Sequence, residues 1–149
     1  MKIEEEIRQS KFKSSHQKAL INLIFTYNWM HNKQQEFFKG FAITPQQFNI
    51  LRILNGQHPN SISATEIKSR MLDKNSDISR LLDRLAAKNL IEKKSCPSDK
   101  RASDVFISSD GITLLENIAR HQKDMDAVLR LTEEEAESLS DLLDKCRRE

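Results

Sequence analysis

The chain of 149 residues balances 24 Lys/Arg against 22 Asp/Glu and holds only three Gly, three Pro and two Cys. That length buries a real core in one domain-sized unit, while Cys96 and Cys146 alone exclude a disulfide framework or a Cys/His zinc site. No apolar run approaches the roughly 20 residues that span a bilayer, and the amino-terminal stretch lacks a signal peptide's apolar core, so the chain reads as cytoplasmic.

Residues 1–13 are densely charged and predict an exposed, frayed helix. From Ala19 the pattern tightens. Leu20, Leu23, Ile24, Tyr27 and Met30, then Gln34, Phe37, Phe38 and Phe41, keep helical spacing to about Lys39, with Gly40 as the stop. Ile21, Phe25 and Trp29 make a second apolar row at i+4 spacing. A helix with two apolar faces has two partners, its own core and a second subunit. Thr44-Pro45-Gln46-Gln47 opens the next helix, with Thr at the N-cap, Pro at N1 and Gln at N3. Phe48, Leu51, Ile53 and Leu54 supply its apolar side, Asn55-Gly56 ends it, and Gln57–Asn60 is a loop.

Ser61-Ile62-Ser63 reads as a short strand. Ser63 and Glu66 fit a capping box for a helix over Ala64–Met71, and a Leu72-Asp73 turn leads into a second helix over Lys74–Lys88 with Asp73 as N-cap. In that helix Ile78, Leu81, Leu82 and Leu85 recur at i, i+3, i+4 and i+7 and face a core. The opposite face carries Ser76, Ser79, Arg80, Asp83, Arg84 and Ala87. Small hydroxyls and two arginines one turn apart are slim enough for a DNA major groove and donate to guanine edges and phosphates. Lys74 and Asn75 stand at the start of the same helix. An αα-corner of no special function shares this outline. The segment after the second helix separates the two readings. Asn89 suits the left-handed backbone that ends a helix, and Leu90–Lys94 and Val105–Ile107 read as strands flanking a polar loop, Ser95–Asp104. A helix-turn-helix followed by a hairpin with Lys100 and Arg101 at its tip is a winged helix, whose tip can follow a backbone or enter a narrow minor groove. Residues 61–107 carry ten Lys/Arg against seven Asp/Glu, whereas residues 108–149 carry six against eleven. The basic excess lies at the reader and the acidic excess in the tail.

After the wing, Ile112, Leu115, Ile118, Ala119, Gln122, Met125, Val128 and Leu129 keep helical spacing over nearly five turns. Thr132-Glu133-Glu134-Glu135 is a capping box for a last helix with Ala136, Leu139, Leu142, Leu143 and Cys146 on one face, which places Cys146 in a core or interface. These stripes exceed what a small winged helix can cover.

The runs Leu72-Asp73-Lys74-Asn75-Ser76-Asp77-Ile78-Ser79-Arg80-Leu81-Leu82-Asp83-Arg84-Leu85, Lys88-Asn89-Leu90-Ile91-Glu92-Lys93 and Asp99-Lys100-Arg101 resemble the MarR family of bacterial winged-helix regulators. Asp99 and Arg101 match that family's Asp-x-Arg wing pattern, with Asp99 supporting the wing, and Ile107-Ser108-Ser109-Asp110-Gly111 resembles its lead into the next helix. Two positions depart from it. Asn89 stands where glycine is usual, and Asp77, where a small or hydroxyl residue is usual, sets an anion near the groove. The resemblance implies a mainly α fold with a small β-hairpin wing: a winged helix-turn-helix over 44–108, flanked by dimerisation helices over 1–43 and 109–149, all in one intertwined domain. It implies a homodimeric regulator on double-stranded DNA, a repressor at a palindromic site, released by a small aromatic effector. Lys74, Asn75, Ser76, Ser79, Arg80, Arg84, Lys100 and Arg101 would then meet DNA. Tyr27, Met30, His31, Phe48 and Arg52 would line an effector cleft between the dimerisation helices and the reader, although such a set at helical spacing is also ordinary core. Asp77 keeps a second reading open, a winged helix that binds protein and has lost DNA.

Cys96, with Lys93, Lys94, Lys100 and Arg101 nearby, reads either as a thiol of thiolate character or as an incidental cysteine. His16, His31, His58 and His121 are scattered with no nucleophile motif beside them, and three glycines build no phosphate loop. The expectation is therefore no enzyme, no catalytic residue, no metal, no cofactor and no membrane partner.

Overall fold

A computed structural model describes residues 1–96 and 99–148, except for the side chains of Cys96, Asp99, Lys100, Arg101, Ala102, Asp124 and Asp126. In chain order the elements are α1 (Ile3–Glu6), α2 (Ser15–Lys39), α3 (Pro45–Gln57), β1 (Ile62–Ser63), α4 (Ala64–Arg70) and α5 (Ile78–Ala87). After these come β2 (Ile91–Cys96), β3 (Asp99–Ile107), α6 (Ser109–Ala119), α7 (Gln122–Asp126), a 3-10 turn (Ala127–Leu129) and α8 (Glu133–Cys146). The mainly helical fold with a small hairpin wing is the one the sequence predicts.

Side-chain oxygens start most of these helices. Ser14 accepts from the Gln17 N–H at 3.1 Å, and Thr44 and Gln47 close a full capping box at 3.1 and 3.0 Å. Thr132 and Glu135 do the same at 3.2 and 2.9 Å. At α4 only half of the expected box forms. Ser63 accepts from the Glu66 N–H at 3.2 Å, but the Glu66 carboxylate pairs with Arg70 one turn on. The expected start of the second reader helix also moves. Asp73 accepts from the Asn75 N–H at 2.9 Å, an Asx turn that holds the chain out of the helix. Asp77 is the cap instead, taking the Arg80 N–H at 3.2 Å, so α5 begins at Ile78.

The core forms around α3, whose Ile50, Leu51 and Leu54 are fully buried together with Ile67, Met71, Leu85, Val105 and Ile118. Each such side chain contributes about 1.5–3 kcal/mol of transfer free energy. The stripe read on α5 is the buried one: Ile78, Leu82 and Leu85 are in the core and Leu81 packs at its edge. The sheet order is β1-β3-β2, all antiparallel, with Ile62 opposite Val105 and Ile91 opposite Ile107. Alternation then puts Ile62, Ile91, Val105 and Ile107 on the core side.

One junction fixes the exit from α5. Asn89 takes φ 59°, as its position predicts, and Leu90 N–H donates back to the Leu85 carbonyl at 3.1 Å. The Ser108 hydroxyl donates to the Asn89 carbonyl at 2.6 Å and accepts from the Gly111 N–H at 3.0 Å. A Cβ on Gly111 would overlap the Leu90 carbonyl oxygen, so close approach requires glycine there.

Several expectations are corrected. The wing strands are longer than predicted and take up most of the expected 95–104 loop. Backbone pairing between β2 and β3 carries the polar run there. Helix α3 continues past Asn55-Gly56 to Gln57, because a mid-helix glycine costs only about 1 kcal/mol. The long helix expected to run to Leu129 breaks at Arg120-His121 and resumes as α7 and a 3-10 turn. Residues 1–13 hold one helical turn with Ile3 buried and Glu4 paired to Lys18. That ammonium holds the Glu4 carboxyl below its ordinary range.

Large apolar side chains remain outward on α2 and α8. Leu20, Ile24 and Tyr27 are 58%, 53% and 57% exposed, and Leu142 is 60% exposed. Helix α8 buries no residue, and Cys146 on it is exposed in the single chain. No helix among the described residues is long and apolar enough to cross a membrane. No group of His, Cys, Asp and Glu among them could hold a metal ion.

Candidate nucleic-acid interface

Burying Ile78, Leu82 and Leu85 sets the rotation of α5 and turns Ser79, Arg80, Asp83 and Arg84 outward. Arg80 and Arg84 wall a cleft of about 430 Å³ with Thr44 and Gln46 from the amino end of α3. Neither arginine makes an ion pair among the described residues. The two carboxylates of this helix and its cap are already engaged. Asp83 is paired with Lys93 on β2, which compensates its charge and ties α5 to the base of the wing. Asp77 aims Oδ1 at the Arg80 N–H of its own helix. On the wing, the Lys94 ammonium lies 5.0 Å from the Phe106 ring centroid, so its stem is held along the ribbon.

The predicted DNA residues divide into four groups. Ser79, Arg80 and Arg84 share the outward face of α5, as read. Lys74 and Asn75 lie in the turn before it, exposed, with the Lys74 ammonium donating to the Ser69 carbonyl. Ser76 is a correction: it is 7% exposed, and its hydroxyl has no partner among the described residues. Residues 72–77 are not helical, so the helical projection that set Ser76 beside Ser79 does not apply to it. Lys100 and Arg101 fall in β3 and Asp99 at its start, and their side chains lie outside the described residues, as does that of Cys96. Sequence reasoning missed Thr44, Gln46 and Lys93. The capping motif marked the start of α3 but carries no sign that this end abuts α5.

A second, larger cleft of about 680 Å³ runs from α2 to the turn before α5. All five residues proposed for an effector cleft line it: Tyr27, Met30, His31, Phe48 and Arg52. Tyr27 stacks on His31 with ring centroids 5.8 Å apart, and the Arg52 guanidinium lies 5.9 Å from the Phe48 centroid. Phe37, Phe38, Met71, Ile118 and Met125 complete an apolar wall that the sequence pattern does not assign to it. The surface therefore combines rings with the charged tips of Arg52, Lys74 and Asp73.

The family model of the MarR family matches residues 43–103, the span from α3 through the wing. The chain is 27% identical over 128 residues to the HTH-type transcriptional regulator MhqR of Bacillus subtilis, covering 85% of this chain and 87% of that one. Its fold is similar to a MarR transcription factor from Planctomyces limnophilus, at 29% identity and a TM-score of 0.72, over 90% of this chain and 98% of that one. It is also similar to a mutant MarR of Escherichia coli complexed with operator DNA, at 26% identity and a TM-score of 0.73, over 87% and 94% of the two chains. With a reader helix, a wing and outward arginines in the same fold, the chain is similar, from α3 through the wing, to the MarR family of regulators of transcription.

Proposed function

We propose that the protein is a homodimeric repressor that binds a palindromic duplex site and is released by a small aromatic effector, in the cytoplasm. The observation that carries the DNA contact is the outward pair Arg80 and Arg84, unpaired among the described residues, while the neighbouring Asp83 is neutralised by Lys93. Ser79, Arg80 and Arg84 enter the major groove. Lys74 and Asn75 approach the backbone from the turn, and Lys100 and Arg101 on the wing, supported by Asp99, follow the adjacent minor groove. Residues 1–43 and 109–149 form the dimer, which the outward Leu20, Ile24, Tyr27 and Leu142 support because single chains rarely leave so much apolar surface wet. The effector is received in the cleft of Tyr27, Met30, His31, Phe48 and Arg52.

The alternative, a winged helix that has given up DNA for a protein partner, rests on the anion at Asp77, which is exposed beside Arg80 and caps its own helix through Oδ1. A gel shift against the protein's own upstream region tests the proposal. Binding should fall steeply between low salt and about 200 mM, since each phosphate contact releases a counterion. No shift, or a salt-independent one, refutes it.

A further inference from the structure

Met71 and Ile78 anchor the two ends of the joint between α4 and α5 in the core, and the hydrogen bonds between them are almost all local. Asn75 N–H donates to Asp73 Oδ1 and Ser76 N–H to the Asp73 carbonyl, while Lys74 reaches back to Ser69. These bonds tie the turn only to itself and to the end of α4, and none reaches α3. One hydrogen bond among the described residues comes from elsewhere: the Leu72 N–H donates to Asn49 Oδ1 at 2.9 Å, across 23 positions of sequence. Asn49 stands beside Ile50 and Leu51 on α3, both at 0% exposure, so its backbone belongs to the most rigid part of the core. Leu72 is the opposite, with its side chain 89% exposed and contributing little packing of its own. Four residues further on, the Ser76 hydroxyl is buried without a partner among the described residues.

We infer that Asn49 is a positioning residue for DNA recognition: its side-chain carbonyl pins the turn to α3 and so fixes where α5 presents Arg80 and Arg84. The inference rests on the DNA-binding reading. It goes beyond it in assigning a role to a residue that does not itself meet DNA. Base readout needs donors placed within a few tenths of an ångström, whereas backbone attraction tolerates a looser reader. Loss of the pin should therefore reduce discrimination between sites more than it reduces attraction to duplex in general.

The experiment uses the full chain and a duplex enriched from a random pool by the unmodified protein, with a scrambled duplex as reference. Asn49→Ala removes the acceptor and Asn49→Asp keeps it in the same place. Amide hydrogen exchange at Leu72 is followed in both. Asn49→Ala should speed exchange at Leu72 and lower the enriched-to-scrambled affinity ratio by about fivefold, the worth of one hydrogen bond. Asn49→Asp should keep both within twofold, and neither change should alter the exchange of core amides on α3. An unaltered ratio in Asn49→Ala overturns the inference, as does equal loss in both variants, or Leu72 exchange that ignores the substitution. If the unmodified protein enriches no duplex, the DNA reading fails instead, and the Leu72 exchange alone judges whether the pin exists.

Discussion

Replacing Asp77 by Ser separates two roles that one carboxylate plays. Its Oδ1 caps α5 by accepting the Arg80 N–H at 3.2 Å, and its charge sits at the positive end of the helix dipole on the face that meets DNA. A serine hydroxyl still accepts from that N–H, so the capping share, typically about 1 kcal/mol, is retained. The dipole share, about 0.3–1 kcal/mol, is lost, and in a chain of this size that lowers Tm by roughly 1–4 °C. Asp77→Ala loses both shares and should lower stability by about 1–2 kcal/mol. On DNA the sign reverses. A charge some 8 Å from a phosphate repels it by about 0.5 kcal/mol in water, so Asp77→Ser should bind random duplex about twofold more tightly at low salt. The enriched site should gain by the same factor, leaving their ratio unchanged. Denaturation for both variants and fluorescence anisotropy on two duplexes make the measurement. A selective loss of the enriched site in Asp77→Ser would show that the carboxylate reads a base, such as a cytosine amino group, and would refute its assignment as a local cap.

The wing and the reader helix should respond differently to truncation. Arg101→Ala should weaken binding to all duplexes by roughly 1–2 kcal/mol, and Arg80→Ala should relax preference at one base pair by about 1–3 kcal/mol, both read by anisotropy over a panel of single-base variants. Ser76→Ala should leave DNA affinity unchanged and should stabilise the fold by up to about 1 kcal/mol in urea unfolding, because it removes a buried hydroxyl without a partner among the described residues. Acid should release the amino-terminal arm. The Glu4 carboxyl is held below its ordinary value by Lys18, so its contribution is present above that value and lost as pH falls through the depressed one. The protection factor of amides in residues 1–13, their exchange rate referred to the intrinsic rate at each pH, should therefore stay constant from pH 8 to 5 and fall only on further acidification, a fall absent from Lys18→Met. Light scattering at micromolar concentration should give twice the chain mass, through an interface of roughly 2,000 Å² or more.

Much of the architecture is legible wherever a local rule and the tertiary demand agree. Thr44-Pro45-Gln46-Gln47 and Thr132–Glu135 start helices where their hydrogen-bond chemistry places them, and Asn89 adopts the left-handed backbone its position demands. The stripe Ile78, Leu82, Leu85 settles which face of α5 is free, and with it the placement of Arg80 and Arg84. The five residues read as a cleft line a single one, which α2 and α3 flank. What escapes is set by competition between neighbours. Asp73 and Asp77 are both good caps four residues apart, and only the Asx turn at Asp73 decides for the second, which in turn buries Ser76. The break at Arg120-His121 leaves the apolar spacing intact on both sides, so periodicity cannot reveal it. Strand β3 is polar through Asp104 and is defined by pairing with β2, which no single stretch of sequence encodes.

Hydroxyl-radical footprinting on the protein's own upstream DNA tests the central claim most directly. Two reader helices related by a two-fold axis should protect two symmetric half-sites about one helical turn apart, near 34 Å, with weaker protection of the flanking minor grooves where the wings lie. A single unsymmetrical patch, or protection without phase to the helical repeat, would contradict a dimer that reads DNA through α5.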